Sequence, residues 1–277
     1  MRIEVNDPED PQIEVFQGLR DHVLRQKREQ RDGDMAGVFI CEGDIVVERA
    51  VAAGYRLESM LADARRTKPL PAAVPDDVPL FAAGPDVLQR VTGYHQHRGV
   101  LACFRRRPVP PPDEVLAALS NNSTILVIER VNNPTNMGVI LRCAAALGVE
   151  AFFLDPRCCD PLYRRSARVS MGEAFALPYA RFSAWPSGLG QLNDHGFETW
   201  ALTPDVDSED LGRIRVPENG RVALVLGAEG PGLTEEVKDQ ADRRVKISMS
   251  GTVDSINVGS AAAVAFYAVQ QARTGSG

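Results

Sequence analysis

From Thr124 onward, short apolar runs alternate with amphipathic stretches, and three of the junctions are filled with Gly, Asn and Ser. These segments are Asn132–Gly148 (NNPTNMGVILRCAAALG), Leu224–Leu233 (LVLGAEGPGL) and Ile247–Val258 (ISMSGTVDSINV). Strands are predicted at Thr124–Ile128, Ala151–Leu154, Thr199–Leu202, Val222–Leu226 and Val245–Ile247. Helices are predicted at Asn136–Leu147, Pro161–Val169, Thr234–Gln240 and Ser255–Arg273. Alternation of this kind demands a mostly parallel sheet covered on both faces. In such a sheet, ligands meet backbone where a strand gives way to a loop or helix, and the three segments sit at those places.

Upstream, the run Pro108–Pro112 (PVPPP) removes amide donors and stiffens the chain, so it reads as a linker that no central strand or helix crosses. Before it, helical spacing is predicted over Phe16–Arg31, Glu42–Gly54 and Val87–Val91, with strands at Phe39–Cys41, Leu57–Ala62 and Gly99–Phe104. The expected division is an N-terminal helical extension over 1–34, a small α/β domain over 35–107, a Pro-rich linker over 108–122 and a second α/β domain over 123–277.

A chain of 277 residues with 44% hydrophobic and 25% charged residues is ordinary for a globular protein with a sizeable core. The N-terminus lacks an apolar signal-type core, and the longest apolar stretch, Ala261–Val269, is too short to span a bilayer. A cytoplasmic protein without a membrane partner is expected. Cys41, Cys103, Cys143, Cys158 and Cys159 form no CxxC pair and share no metal-ligand spacing with the four His, so no metal is expected. A net charge of −6 argues against indiscriminate coating of nucleic acid. Local basic clusters remain at Arg105–Arg107, at Arg164, Arg165 and Arg168, and at Arg243, Arg244 and Lys246.

Each segment has chemistry that suits a ligand. Pro134 ends the first strand, Thr135 or Asn136 can cap the next helix, and Gly138 permits close approach. Arg142 lies one turn after Gly138, and an Asn with an Arg at a helix start can grip phosphate or ribose. In the second segment, glycines flanking Pro231 make a rigid loop with free amides. It is not GxGxxG, and no Walker-type GxxxxGK[ST] occurs. The third segment leads into a helix rich in small residues, with Asp254 or Ser255 available as its cap. No nucleophile triad is visible.

Together the segments resemble the three motifs of the SpoU/TrmH family of RNA ribose 2′-O-methyltransferases, in the SPOUT superfamily. The NxxxxNxGxxxR motif reads as Asn132 through Asn136 and Gly138 to Arg142, GxEGxG as Gly227, Glu229, Gly230 and Gly232, and SxN as Ser255 and Asn257. Arg168–Gly172 (RVSMG) and Leu177–Pro178 also look like the family's intervening sequence. The resemblance covers Thr124 to the end, and the N-terminal part is similar to the family's small RNA-binding domain. It implies a knotted SPOUT-type α/β catalytic domain with a C-terminal trefoil knot, working as a homodimer with the active site near the interface. It implies S-adenosylmethionine held around Leu226, Gly227, Gly232, Ile247, Met249 and Ile256. The functional side chains implied are Arg142, Asn136, Ser255, Asn257 and Glu229. A guanidinium stays protonated at ordinary pH, so Arg142 is read as positioning phosphate and stabilising a developing alkoxide. The expected activity is methylation of a ribose 2′-hydroxyl of structured RNA, ribosomal RNA first. A transfer RNA target is the alternative, and so is a non-catalytic knotted RNA-binding protein, which the presence of Arg142 and an intact SxN disfavours. Arg105, Arg106, Arg107, Arg164 and Arg168 are the expected RNA contacts.

Overall fold

The computed structural model describes residues 1–20, 33–93, 99–216, 220–251 and 255–274. Its strands are β1 (Arg2–Val5), β2 (Val38–Glu42), β3 (Leu57–Asp63), β4 (Leu80–Ala83), β5 (Val100–Arg105), β6 (Thr124–Ile128), β7 (Ala151–Leu154), β8 (Tyr179–Arg181), β9 (Phe197–Leu202), β10 (Glu209–Asp210), β11 (Arg221–Leu226) and β12 (Arg243–Lys246). The α-helices are α1 (Asp44–Ala52), α2 (Pro85–Thr92), α3 (Pro112–Ala117), α4 (Pro134–Ala146), α5 (Arg164–Val169), α6 (Gly188–Asp194), α7 (Glu235–Gln240) and α8 (Val258–Thr274). Among the described residues, no helix is long and apolar enough to cross a membrane. The chain forms two compact units, one of Met1–Pro108 with Pro161–Ala176, the other of Val109–Asp160 with Leu177–Gly277.

The first unit is a mixed sheet in the order β1-β4-β3-β5-β2. Period-two alternation gives it two apolar faces. Phe39 and Cys41 pack with Val46, Val47 and Ala50 of α1, while Ile40 packs with Ile13, Phe16 and Leu88 on the other side. Three expectations are corrected here. The first residues are not a helical extension, because β1 pairs in parallel with β4 and Ile13 and Phe16 are buried in the core. Of the helix expected over Phe16–Arg31, Gln17–Arg20 are not helical and residues 21–32 lie outside the described residues. The segment Pro161–Ala176 does not belong with the second domain, because Leu162, Ala167 and Phe175 bury against α1 and β2.

The linker also needs correction. Pro112 is the first residue of α3, a position where proline's missing amide costs nothing. Val115 and Leu116 of that helix are buried in the second unit. The second unit is a parallel sheet in the order β10-β12-β9-β11-β6-β7-β8. Every residue of β6 is buried, as a central parallel strand requires. On one face Ile125, Val127, Phe153 and Val225 pack with α3, Leu189 and Leu192 of α6, and Val237 of α7. The alternate residues Leu126, Leu224 and Trp200 are buried too. Helix α8 packs against α4 and β11. Helices α4 and α8 approach so closely that a Cβ on Gly259 would lie 2.6 Å from Val139 Cγ1.

From β6 the chain runs outward through β7 to β8, whereas β11, β9, β12 and β10 lie on the other side of β6. The order reverses between β6 and β11. In open α/β sheets the ligand crevice opens at the carboxyl ends of the strands at such a point.

Candidate active site

At the end of β6, Glu129 is only 1% exposed. Its carboxylate accepts hydrogen bonds from Trp185 Nε1 at 2.9 Å, Thr234 N at 2.8 Å and Thr234 Oγ1 at 2.8 Å. Its own amide donates to the Leu226 carbonyl at 2.8 Å. The first two sequence segments are thereby locked side by side. The glycines of the second segment answer to this loop's own geometry. A Cβ on Gly227 would lie 2.3 Å from both Gly232 C and Leu233 N, while Gly230 and Gly232 take φ of +90° and +71°.

Three motif side chains meet beside this loop. Asn136 Nδ2 donates to Glu229 Oε2 at 2.7 Å, and Asn257 Nδ2 lies 3.1 Å from Glu229 Oε1 and 3.2 Å from Asn136 Oδ1. Asn257 Oδ1 accepts from Gly259 N at 2.8 Å, so this Asn caps α8. Neither Thr135 nor Asn136 caps α4. Pro134 occupies the first helical position, which makes Asn133 the cap, and its side chain accepts from Thr135 N at 2.9 Å. Asn136 is freed to turn inward. Of the caps considered for α8, Ser255 lies outside the first turn, and Asp254 falls with Thr252 and Val253 outside the described residues.

A cavity of about 420 Å³ opens among these loops. Leu226, Gly227, Gly232, Ile247, Met249 and Ile256 line it, together with Glu229, Ser255 and Asn257. Sequence reasoning missed Leu202, Thr203 and Asp205, which also line it. The available signal was that β9 ends at the same sheet edge. Lys238 Nζ lies 2.9 Å from Asp205 Oδ2, and this ammonium holds the Asp205 carboxyl below its ordinary range.

Arg142 does not join the cluster. It is exposed, and its guanidinium makes no hydrogen bond or ion pair among the described residues. Helical geometry puts it about 9 Å along α4 and roughly 120° around from Asn136. The arginines expected to meet RNA are engaged within the first unit. Arg105 Nε donates to Glu58 at 2.9 Å, Arg106 Nε to the Val38 carbonyl at 2.8 Å and Arg107 Nη2 to the Ala53 carbonyl at 3.1 Å. Arg164 is buried against Glu42, and Arg168 Nη1 donates to the same carboxylate at 2.8 Å. The expectation for Arg164 is therefore withdrawn, because a buried, paired guanidinium offers nothing to a phosphate.

The model of the SpoU rRNA methylase family matches residues 123–267. The chain belongs to that family. A tRNA/rRNA methyltransferase of Mycobacterium bovis, itself uncharacterised, is 40% identical over 95% of this chain and 90% of its own length. The 23S rRNA (guanosine-2′-O-)-methyltransferase RlmB of Acinetobacter baylyi is 31% identical over 77% of this chain and 86% of its own. Among solved structures, the SpoU methyltransferase AviRb of Streptomyces viridochromogenes, in complex with AdoMet, superposes with a TM-score of 0.79 at 21% identity, covering 97% of this chain and 100% of that one. An RNA 2′-O ribose methyltransferase superposes at 0.76 with 26% identity, covering 99% and 100%. The resemblance read from the motifs is borne out, and with it the α/β class with a parallel sheet in the second unit. The protein is an RNA methyltransferase.

Proposed function

We propose that this enzyme methylates a ribose 2′-hydroxyl of ribosomal RNA, working as a homodimer. The observation that carries the reading is the Asn136–Glu229–Asn257 cluster, two members of which, Glu229 and Asn257, line the 420 Å³ cavity. The cavity suits the cofactor in size and in chemistry. Its volume falls in the range of small-molecule sites, and it combines apolar walls with the glycine-rich loop and the carboxylates of Asp205 and Glu229. Leu226, Ile247, Met249 and Ile256 would hold the adenosyl part, and Gly227 and Gly232 keep the loop backbone close. Bound there, S-adenosylmethionine supplies an electrophilic methyl on a sulfonium. Little covalent help is then required of the protein. The acceptor oxygen must be aligned with the methyl and lose its proton. Ser255 and Asn257, which line the cavity, would orient the ribose, and Asn136 donates to the Glu229 carboxylate.

Arg142 is exposed and stands apart from its own chain's cluster, so its positioning role would be exercised on the site of a second copy. Exposed Val264 and Tyr267 on α8, the helix packed against α4, supply apolar area for such a dimer. The family description and the RlmB likeness support ribosomal RNA, and an RNA substrate implies the cytoplasm. The implied C-terminal trefoil knot belongs to the same reading, supported by the likeness in fold.

Labelled S-adenosylmethionine incubated with total RNA, followed by mapping of the label, tests the activity. Label on ribosomal ribose 2′-oxygens is expected. Label in transfer RNA alone would overturn the ribosomal assignment. Mixing inactive Arg142→Ala and Asn257→Ala subunits tests the dimer. Half of the dimers formed are mixed and each regains one intact site, so about a quarter of wild-type activity returns. No recovery after subunit exchange would sink the shared site.

A further inference from the structure

An RNA site needs cations that are not already engaged by the protein, and the arginines nominated from sequence clusters are paired internally. Arg130 and Arg157 are different. Both are exposed, and neither guanidinium makes a hydrogen bond or ion pair among the described residues. They follow adjacent parallel strands whose ends are in register, Ile128 opposite Leu154. The two loops are stitched together by Asp155 N to the Ile128 carbonyl at 3.0 Å and by Cys159 N to the Val131 carbonyl at 3.0 Å.

Each loop presents its arginine from a fixed backbone. Arg130 sits between Glu129, 1% exposed, and Val131, 2% exposed, and adopts φ of +58°. Side chains other than glycine rarely take that conformation, and where one persists the surroundings over-determine it. Here the inward Glu129 is held by Trp185 and Thr234. In the second loop, buried Asp155 accepts from Arg157 N at 3.0 Å and Cys158 N at 2.7 Å. Arg181 Nη1 donates to the carbonyls of Asp155 at 2.7 Å and Cys158 at 3.0 Å. A rigid base lowers the ordering cost of gripping a ligand.

The loop carrying Arg130 runs directly into α4, whose first turn delivers Asn136 to the cluster. The acceptor 2′-oxygen sits on the carbon next to the one that carries the nucleotide's 3′-phosphodiester. A site for that ribose therefore needs phosphate ligands close by. We propose that Arg130 and Arg157 bind the phosphates flanking the target nucleotide and so set where the RNA strand enters the site. The inference rests on the functional reading above.

The test uses full-length enzyme and an in vitro transcript of 23S rRNA. Arg130→Gly removes the guanidinium while suiting the left-handed backbone, so its melting temperature should not fall. Arg157→Ala is the companion, and the double Lys variant is the charge-retaining control. Each loss variant should raise KM for RNA about tenfold and leave the affinity for S-adenosylmethionine unchanged. The slope of log binding constant against log salt should shrink by about 0.7–0.9 per arginine removed, while the Lys control keeps it. Wild-type enzyme that methylates the transcript, beside loss variants with unchanged KM and salt slope, overturns this inference alone. Wild-type enzyme that methylates no RNA overturns the functional reading and this inference with it.

Discussion

Glu229 has both carboxylate oxygens against amide donors, one from Asn136 and one from Asn257. A Gln at this position keeps one acceptor and turns an NH2 towards an Asn NH2. One of the two bonds must break, at a cost of about 1–3 kcal/mol for the donor left unmatched. Glu229→Gln is expected to cut turnover at least about tenfold, read as initial rates at saturating RNA and cofactor. Gly227→Ala fails for a different reason. Its Cβ would sit 2.3 Å from backbone atoms of Gly232 and Leu233, which cannot yield as a flexible side chain would. The loop must open, so calorimetry should show the cofactor's affinity falling about a hundredfold, equivalent to nearly 3 kcal/mol. The glycine pattern was legible in the sequence because left-handed or crowded backbone accepts little else. The roles of the asparagines were not. Asn133, Asn136 and Asn257 have the same chemistry, and only the position of Pro134 and the tertiary partner decide which caps and which enters the cluster.

Among elements, the buried strands could be read because central parallel strands are continuous apolar runs. Thr124–Ile128 and Ala151–Leu154 match their predicted bounds for that reason. Strands β1, β4, β8 and β10 escaped because runs of two to four residues leave no periodicity to detect. Helix packing leaves a clearer trace. Gly259→Ala would press its methyl on Val139 Cγ1 at 2.6 Å and on Asn257 Oδ1 at 3.1 Å, where α8 meets α4. Overpacking of this kind costs about 1–3 kcal/mol, and thermal unfolding should shift down accordingly. In the first unit, Asp44 opens α1 beside Arg66 at 3.1 Å and Lys68 at 2.8 Å. Burial pushes its carboxyl up, but the hydrogen bonds and charges of Lys68 and Arg66 outweigh that and leave it below its ordinary value. A depressed folded-state pKa stabilises above the unfolded value, near 3.9, and that stability is lost as pH falls through the folded one. Asp44→Asn should therefore cost about 1 kcal/mol at neutral pH, discounted for partial solvent screening. The gap to wild type should close in melts taken below about pH 4.

Across the whole molecule, segments far apart in sequence are held together by one carboxylate. Glu42 closes β2, and its partners Arg164 and Arg168 lie 122 and 126 residues further along. Local patterning cannot see such a link, which is why Pro161–Ala176 was expected with the second domain. The two pairs differ in environment. The Arg164 and Glu42 side chains are both 9% exposed, whereas that of Arg168 is 61% exposed. Removing one partner of a buried pair strands the other charge at a cost of about 3–5 kcal/mol, while an exposed pair contributes about 0–1 kcal/mol. Glu42→Ala should therefore destabilise the first unit strongly and Arg168→Ala hardly at all. Leu162, Ala167 and Phe175 pack in the same cluster as Phe39 and Cys41, so loss of the charge pair loosens the apolar contact as well. Hydrogen exchange is the informative measurement. In Glu42→Ala, peptides covering residues 38–42 and 161–176 should lose protection together, while Arg168→Ala leaves both near wild type. If only the 38–42 peptide loosens, the apolar residues alone hold the segment and Glu42 is not its tie.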